Sequence, residues 1–135
     1  MRFFDTNILL YSISTDPLER SKREIAIALL EGGDAALSVQ VLQEFYVQAT
    51  RLTKPYPLSH ADAVDMIAGW SRFHVQDLTL AVLEEALAIR ARYRFSYWDC
   101  AIIAAAQALG CRELYTEDMS HGQDVDGVLI INPFR

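Results

Sequence analysis

The sequence predicts an α/β fold in which a mostly parallel sheet of about five short strands is covered by helices on both faces. Short apolar segments typical of buried strands alternate with longer segments that carry helical periodicity and helix-capping residues. Parallel strands require crossover connections, usually helices, which then cover the sheet. Proline and glycine punctuate these segments, and no repeat or linker interrupts them. We therefore expect one domain over residues 1–135.

The first strand and the first long helix are marked by their boundaries. The segment from Arg2 to Asp5 is short and mainly apolar, which indicates a buried strand. Asp16-Pro17-Leu18-Glu19 combines an N-cap, a proline at the first helical position and a capping-box acid, so it predicts a helix start. Gly32-Gly33 predicts the end of that helix, because glycine readily adopts the left-handed conformation that closes helices.

A second strand and a second helix follow. Ala35–Ser38 is short and apolar, and its last residue is suited to cap a helix that runs from Val39 to about Leu52. Lys54-Pro55-Tyr56-Pro57 then breaks the helix, because proline lacks the backbone N–H that a helix interior needs.

The middle of the chain predicts two further helices around a third strand. Ser59-His60-Ala61-Asp62 is another capping box, and it opens a helix that continues to Trp70. Phe73–Gln76 is a strand candidate. Thr79 caps the next helix, which we expect to end at about Tyr93.

The last third of the chain contains the most apolar helix, from Trp98 to Leu109, with Gly110 as its stop. Because this helix is apolar on all sides, we expect it to be buried. Leu114–Thr116 and Val128–Ile131 predict the two remaining strands.

Composition excludes some classes of protein and leaves others open. Hydrophobic residues make up 52% of the chain and charged residues 22%, which excludes disorder and predicts apolar surface for a partner; we expect a homodimer. The net charge of −6 argues against a broad, sequence-independent nucleic-acid surface, because neutralising phosphates requires lysine and arginine. An acidic pocket filled with cations can nevertheless take a phosphodiester.

The cysteines and the N-terminus indicate the compartment. Cys100 and Cys111 show neither a CxxC pattern nor a histidine at metal-ligand spacing, so we expect buried thiols rather than a disulfide or a zinc site. The charge of Asp5 comes too early for a secretory signal, and no apolar run has the length of a membrane span. We therefore expect a cytoplasmic protein.

Four carboxylates stand where a predicted buried segment ends or turns, namely Asp5, Glu44, Asp99 and Asp118. In parallel α/β sheets, ligands bind beyond the carboxyl ends of the strands, near the point where the strand order reverses. Carboxylates about 4 Å apart repel by roughly 4 kcal/mol per pair at an effective dielectric constant near 20. Such a cluster must take up protons or cations, and divalent cations with oxygen ligands fit it.

Each acid also has a purely structural interpretation. Asp5 can cap a helix, and Asp99 can close a capping box with Ser96. Glu44 can be a solvated charge on a helix surface, and Glu117-Asp118 can belong to a polar turn. Four such acids at the same end of one predicted sheet favour a metal site over four separate structural roles.

Four segments, each with one of these acids, carry a family pattern. They are Phe4-Asp5-Thr6-Asn7-Ile8-Leu9, Ser38-Val39-Gln40-Val41-Leu42-Gln43-Glu44-Phe45-Tyr46, Tyr97-Trp98-Asp99-Cys100-Ala101-Ile102-Ile103-Ala104-Ala105-Ala106 and Leu114-Tyr115-Thr116-Glu117-Asp118-Met119. In order and spacing they resemble PIN-domain ribonucleases, in particular VapC-type toxins of type II toxin-antitoxin systems. The segment from Gly122 to Phe134 resembles the ending common in that group. The resemblance implies a PIN-like three-layer fold.

The resemblance also implies roles for individual residues. According to the resemblance, the acidic set that binds metal and carries out catalysis corresponds to Asp5, Glu44, Asp99 and Asp118. The polar residues that orient this set correspond to Thr6, Asn7 and Thr116. Glu117 leaves an ambiguity, because a strand that ends at Thr116 can aim either Glu117 or Asp118 inward. The family pattern favours Asp118.

The implied activity is endonucleolytic hydrolysis of RNA. One or two Mg²⁺ or Mn²⁺ ions would lower the pKa of the attacking water and neutralise charge in the transition state. Tyr97 and Trp98 can stack on an unpaired base, and Arg94 can contact the RNA backbone. The structural alternatives are core packing for the aromatic pair and a solvated helix end for the arginine. The family further implies a cognate VapB-type antitoxin that blocks the site.

Two rival interpretations remain. A PIN fold used only as a binding module is one, and the complete acidic set weighs against it. A receiver domain that accepts phosphate is the other, since it also holds Mg²⁺ with acids at strand ends. Receivers place paired acids after the first strand and a lysine after the last, whereas here Thr6 follows Asp5 and Asn132-Pro133 follows the last strand.

Overall fold

The computed structural model describes residues 1–135 and contains one six-stranded sheet. The strand order is β3-β2-β1-β4-β6-β5, and all neighbours are parallel except the antiparallel pair β5–β6. The strands are β1 (Arg2–Phe4), β2 (Ala35–Ser38), β3 (His74–Gln76), β4 (Glu113–Tyr115), β5 (Asp124–Val125) and β6 (Val128–Ile131).

The strand order reverses at β1, which lies in the middle of the sheet. Phe3 pairs with Ala36 of β2 on one side and with Leu114 of β4 on the other. The chain builds outward from β1 in one direction through β2 and β3, and then returns to add β4 on the opposite side. In parallel α/β sheets, ligands bind in the crevice beyond the carboxyl ends of the strands at such a reversal.

Six α-helices and one 3₁₀ turn connect the strands. The helices are α1 (Thr6–Ser12), α2 (Arg20–Glu31), α3 (Val39–Ala49), α4 (His60–Trp70), α5 (Leu80–Arg92) and α6 (Tyr97–Ala108), and the 3₁₀ turn is Pro17–Glu19. Helix α1 packs against α2 and α3, while α5 packs along α6. Right-handed crossovers place α1–α4 on one face of the sheet and α5–α6 on the other. None of the helices has the length and apolar character needed to cross a membrane.

Helix α6 forms much of the core. Every residue from Cys100 to Ala106 is buried, and most of these side chains are small, so the helix lies close to the sheet. Phe3, Phe4 and Leu114 of the central strands are completely buried in the same core. Cys111 is buried as well, and both cysteines are free, which confirms the prediction of buried thiols.

The predicted fold class is confirmed, with differences in the details. The sheet has six strands rather than about five, because the two-residue β5 pairs with β6 in a tight hairpin. Helix α1 starts directly after Asp5, and its seven residues are too few for a clear periodic pattern. Helix α3 ends at Ala49 rather than near Leu52, where the Ala49 carbonyl accepts the Leu58 N–H at 2.8 Å.

Candidate active site

Asp5 and Thr116 meet at the carboxyl edge of the two central strands. Asp5 directly follows β1 and Thr116 directly follows β4, and both are buried. The Thr116 hydroxyl donates to Asp5 Oδ2 at 2.8 Å, and the Thr6 N–H donates to Asp5 Oδ1 at 2.7 Å. Asp5 is therefore the N-cap of α1, and its carboxylate also lies at the crevice, so capping leaves the functional interpretation of this residue open.

Glu44 reaches the same place from α3. It lies in the second turn of a helix capped by Ser38, and it is half-buried rather than solvated. The Thr6 hydroxyl donates to Glu44 Oε2 at 2.8 Å. Gln40, one helical turn earlier, donates from Nε2 to Glu44 Oε1 at 3.0 Å. Each oxygen of the carboxylate has one hydrogen-bond donor, which fixes the side chain.

Asn7 holds Asp118 and the turn after β4. Its Nδ2 donates to Asp118 Oδ2 at 3.1 Å and lies 3.3 Å from the Thr116 hydroxyl oxygen. Its Oδ1 accepts the Glu117 N–H at 3.4 Å. The Asp118 N–H donates to Thr116 Oγ1 at 3.1 Å. The polar residues that the family resemblance singles out thus connect α1 to the end of β4.

Asp99 comes from the first turn of α6. The Asp99 N–H donates to Ser96 Oγ at 3.2 Å, so Ser96 caps the helix. No hydrogen bond returns from the Ser96 N–H to the Asp99 carboxylate, so the predicted capping box is only half formed. The half-buried Asp99 carboxylate remains available to the crevice.

The four acids line one small cavity of about 110 Å³. They reach it from the ends of β1 and β4, from α3 and from α6. No lysine, arginine or histidine lines this cavity. Its remaining walls are Thr6, Asn7, Leu10, Gln48, Trp98 and Ile102.

Electrostatics in the cavity favour protons or cations. Burial raises the pKa of Asp5 to about 6, hydrogen bonds from Thr6 and Thr116 oppose this shift, and repulsion from Glu44 and Asp118 adds to it. Burial likewise raises the pKa of Asp99, and repulsion from Asp118 and Glu44 adds to the effect. Burial is thus the main cause of both shifts, and repulsion from the neighbouring carboxylates adds to it.

The donor set fits a hard divalent cation. All the charged donors are carboxylate oxygens, the ligands that Mg²⁺ prefers. No three Asp, Glu, His or Cys side chains converge closely enough to hold one ion directly. Hydrogen bonds from Thr116 and Thr6 fix Asp5 and Glu44 in their positions. An ion here would therefore take fewer direct carboxylate bonds and keep several waters, which is the usual manner of Mg²⁺ binding.

Asp118, and not Glu117, lines the acidic cavity. The Glu117 carboxylate accepts hydrogen bonds from Tyr11 Oη and Lys22 Nζ, both at 2.5 Å. Burial acts to raise the pKa of Glu117, but the hydrogen bonds from Lys22 and Tyr11 outweigh it and lower the pKa. Glu117 is thus an ion-paired carboxylate that points away from the other acids.

The three candidate RNA contacts lie in different surroundings. Trp98 is 64% exposed and forms part of the cavity wall. Tyr97 packs against the core, and its ring meets that of Trp98 edge to face, with the ring centres 5.1 Å apart. Arg94 is exposed and lines neither the cavity nor the groove beside it. Only Trp98 directly borders the acids.

A larger groove of about 620 Å³ opens beside the cavity. The two share the side chains of Asn7, Leu10, Gln48 and Asp118 as common walls. The groove runs between the segment that follows α1 and the loop around Lys54 and Tyr56, and Lys54 is its only basic residue. A chain bound along the groove would have direct access to the acids.

Sequence reasoning missed Gln40 and Lys22. Gln40 is buried, and besides Glu44 its Nε2 reaches the Trp98 carbonyl oxygen at 3.4 Å, which links α3 to the start of α6. Its position four residues before Glu44 on one helix face was the available signal. Lys22 has no such signal, because its partner Glu117 lies 95 residues away in sequence.

The fold and the site define an α/β protein with an acidic cavity at the carboxyl edge of its parallel sheet. The family model of the PIN domain matches residues 2–122, and the chain belongs to the PIN domain family. A search of curated proteins gives no match.

Several solved structures share the fold. One is a toxin-antitoxin complex from Klebsiella pneumoniae, 24% identical, with a TM-score of 0.70 over 99% of this chain and 98% of that chain. Another is VapC20 from Mycobacterium tuberculosis, a toxin that cleaves the sarcin-ricin loop, 20% identical, with a TM-score of 0.68 over 87% of this chain and 92% of that one. FitAcB from Neisseria gonorrhoeae is 18% identical, with a TM-score of 0.68 and 99% of both chains covered.

Proposed function

We propose that this protein is a metal-dependent endoribonuclease that hydrolyses RNA phosphodiester bonds and acts as the growth-inhibiting toxin of a toxin-antitoxin pair. The observation that carries the proposal is the cavity lined by Asp5, Glu44, Asp99 and Asp118 without a single basic side chain. Four carboxylates from four separate parts of the chain have no structural need to share a cavity, because they repel one another and because burial of Asp5 and Asp99 costs desolvation.

The four acids would hold one or two Mg²⁺ or Mn²⁺ ions. When bound, such ions supply a water of lowered pKa and positive charge for the transition state. Asp99 and Asp118 each keep at least one carboxylate oxygen without a hydrogen bond, so these two acids suit direct ligation. Both oxygens of Asp5 and both oxygens of Glu44 already accept a hydrogen bond, so these two acids suit contacts through water. Thr6, Asn7 and Thr116 hold the acids in register, so that little reorganisation is needed when substrate binds.

RNA is the proposed substrate, and it would approach along the groove that shares a wall with the acidic cavity. Trp98 offers an exposed ring on which an unpaired base can stack. The relative from Mycobacterium tuberculosis, which cleaves the sarcin-ricin loop, supports an RNA loop as the class of target. Such a substrate would place the protein in the cytoplasm.

The proposed partners are a VapB-type antitoxin and a second copy of this chain. The similar structures include toxin-antitoxin complexes, which supports the first. A cationic antitoxin segment would neutralise the cavity and exclude metal. For the homodimer, the support is an exposed stripe on α5 made of Leu80, Leu83 and Leu87. Light scattering should give a dimeric mass for the antitoxin-free protein, and Leu87→Glu should convert it to a monomer.

The purified, antitoxin-free protein tests the activity. It should cleave RNA with Mg²⁺ or Mn²⁺ and stop on chelation. Asp5→Asn and Asp99→Asn should each lower the rate about 100-fold or more, because the metal stabilises transition-state charge by several kcal/mol. Asp65→Asn, which removes an exposed carboxylate on α4, is the matched control and should leave the rate unchanged. Metal-independent cleavage, or full activity of both variants, would contradict the proposal.

The same assay addresses the rival function of a PIN fold that binds without catalysis. The observation in its favour is that no three acids converge on one point. If the protein only binds RNA, the unaltered protein and the Asp99→Asn variant should both bind RNA, and the RNA should remain intact at every metal concentration. Metal-dependent cleavage that Asp99→Asn abolishes rejects it.

A further inference from the structure

A closed cluster of three polar side chains borders the large groove beside the acidic cavity. Tyr11 is in α1, Lys22 is in α2, and Glu117 is in the turn after β4. Besides the two bonds to the Glu117 carboxylate, Lys22 Nζ lies 3.2 Å from Tyr11 Oη. Lys22 Nζ also lies 4.9 Å from the centre of the Tyr11 ring and 5.7 Å from that of Phe134. Every member therefore contacts both of the others.

The turn that carries Asp118 begins at the buried Thr116 and has fewer attachments further along. The Glu117 N–H reaches Asn7 at 3.4 Å, the Asp118 N–H reaches Thr116 at 3.1 Å, and Asp118 itself is exposed. These two backbone bonds are neutral, and the Asn7 amide adds one bond to the Asp118 carboxylate at 3.1 Å. The Glu117 carboxylate adds an ion pair with Lys22 and a hydrogen bond from Tyr11, and such charge-assisted bonds are stronger than neutral ones.

The cluster also controls charge. Glu117 lines the large groove, and Asp118 lines both the groove and the acidic cavity. A Glu117 side chain released from Lys22 would carry an uncompensated negative charge beside Asp118. It would repel an anionic substrate in the groove and compete with Asp118 for cations.

We propose that Tyr11, Lys22 and Glu117 form a positioning cluster that pins the Thr116–Asp118 turn, so that Asp118 faces the acidic cavity while Glu117 is withdrawn from it. The role in metal binding rests on the proposed function, whereas the role in ordering the turn does not. None of the three touches a reacting atom, so they act through Asp118.

The opposing interpretation is that the cluster only ties α2 to the rest of the molecule. In that case its loss would lower the melting temperature without changing the turn or the metal affinity. Arg20→Ala is the matched control, because it removes a positive charge from the same helix and breaks only the exposed pair with Glu24.

The first experiment uses metal-free protein and measures amide hydrogen exchange by NMR. Lys22→Ala should speed exchange at the Glu117 and Asp118 amides about 10-fold or more, which corresponds to roughly 1.4 kcal/mol, while amides of α6 stay protected. Lys22→Arg should restore protection. Glu117→Gln serves if Lys22→Ala fails to fold, and it should change the same amides in the same direction. Unchanged exchange at both amides in the folded variants would overturn the proposal.

The second experiment measures Mn²⁺ affinity by calorimetry. Lys22→Ala should weaken binding about 10-fold, within the range typical when a residue supporting a ligand is removed, while Arg20→Ala and Lys22→Arg should bind like the original protein. Unaltered affinity in Lys22→Ala would overturn the metal-binding part. If the unaltered protein binds no Mn²⁺, the proposed function fails, and the exchange data on metal-free protein still decide whether the cluster orders the turn.

Discussion

The Thr6 hydroxyl donates a hydrogen bond to Glu44 Oε2 at 2.8 Å, although the two residues are 38 positions apart. The same residue uses its backbone N–H for Asp5 Oδ1 at 2.7 Å. One threonine therefore holds two carboxylates of the cavity with two different donors. Any residue except proline would supply the backbone N–H at this position, whereas the hydroxyl depends on the side chain.

Thr6→Val should separate these two donors. Valine keeps the backbone bond to Asp5 and fills similar space, but it leaves Oε2 of the half-buried Glu44 without its donor, and loss of such a hydrogen bond costs about 1 kcal/mol. We expect a lower free energy of unfolding and a cleavage rate reduced about 10-fold. Chemical denaturation and the RNA assay measure the two effects. Thr6→Ser keeps a hydroxyl, so it should retain most of the stability and most of the cleavage rate. Equal losses in Thr6→Val and Thr6→Ser would show that the hydroxyl is not responsible for these effects.

The buried Asp5 makes stability depend on pH. Burial raises its pKa from 3.8 to about 6, against the hydrogen bonds from Thr6 and Thr116. The folded chain then binds this proton at a higher pH than the unfolded chain does, so the contribution to the free energy of unfolding falls as pH rises from about 4 to about 6. Above that window the metal-free protein loses about 3 kcal/mol from this group.

Asp5→Asn tests that pH dependence, because asparagine can still cap α1 but does not titrate. The variant should be more stable than the unaltered protein at pH 7, and the difference should shrink towards pH 4. Urea denaturation of both metal-free proteins across this range provides the comparison. An identical pH profile for the two proteins would refute the assignment. Added Mn²⁺ should stabilise only the unaltered protein, because an ion favours the ionised carboxylate.

Gln40 should matter for both stability and metal binding. It is buried, and it bridges Glu44 to the Trp98 carbonyl oxygen. Gln40→Ala removes both bonds and opens a small cavity, so we expect a loss of about 1–3 kcal/mol in the free energy of unfolding and weaker Mn²⁺ binding. Gln43→Ala, at an exposed position of the same helix, is the control. Calorimetry with Mn²⁺ compares the two variants. Equal Mn²⁺ affinities in Gln40→Ala and Gln43→Ala would show that Gln40 has no specific role in metal binding.

Trp98 should affect RNA and not metal. Because the ring is 64% exposed, Trp98→Ala should leave the melting temperature nearly unchanged. Loss of stacking on one base costs about 1–3 kcal/mol, so KM for RNA should rise roughly 10-fold or more while Mn²⁺ affinity stays constant. Trp98→Phe should recover part of the loss. A lower Mn²⁺ affinity in both variants would instead indicate that Trp98 helps to position Asp99.

Local patterns explain what the sequence could predict. Asp5, Ser38 and Ser96 were identifiable because helix capping depends on neighbouring residues, and the buried α6 was evident from its composition. The bond between Gln40 and Trp98 joins residues 58 positions apart. No local sequence pattern predicts a contact between residues so far apart in sequence. The hydrogen bonds that hold Glu44 and the orientation of Glu117 could therefore be found only in the folded structure. Strand β5 was missed because two residues carry no alternation.

The position of β1 in the middle of the sheet has a consequence for synthesis of the protein. Asp5 is translated long before its hydrogen-bond partner Thr116, which follows 111 residues later. One of the two edges of β1 also remains unpaired until β4 has been translated. A growing chain therefore cannot assemble the acidic cavity until β4 and Asp118 have been translated and have left the ribosome. The proposed activity accordingly requires that the Thr116–Asp118 turn has joined the acids of the earlier elements.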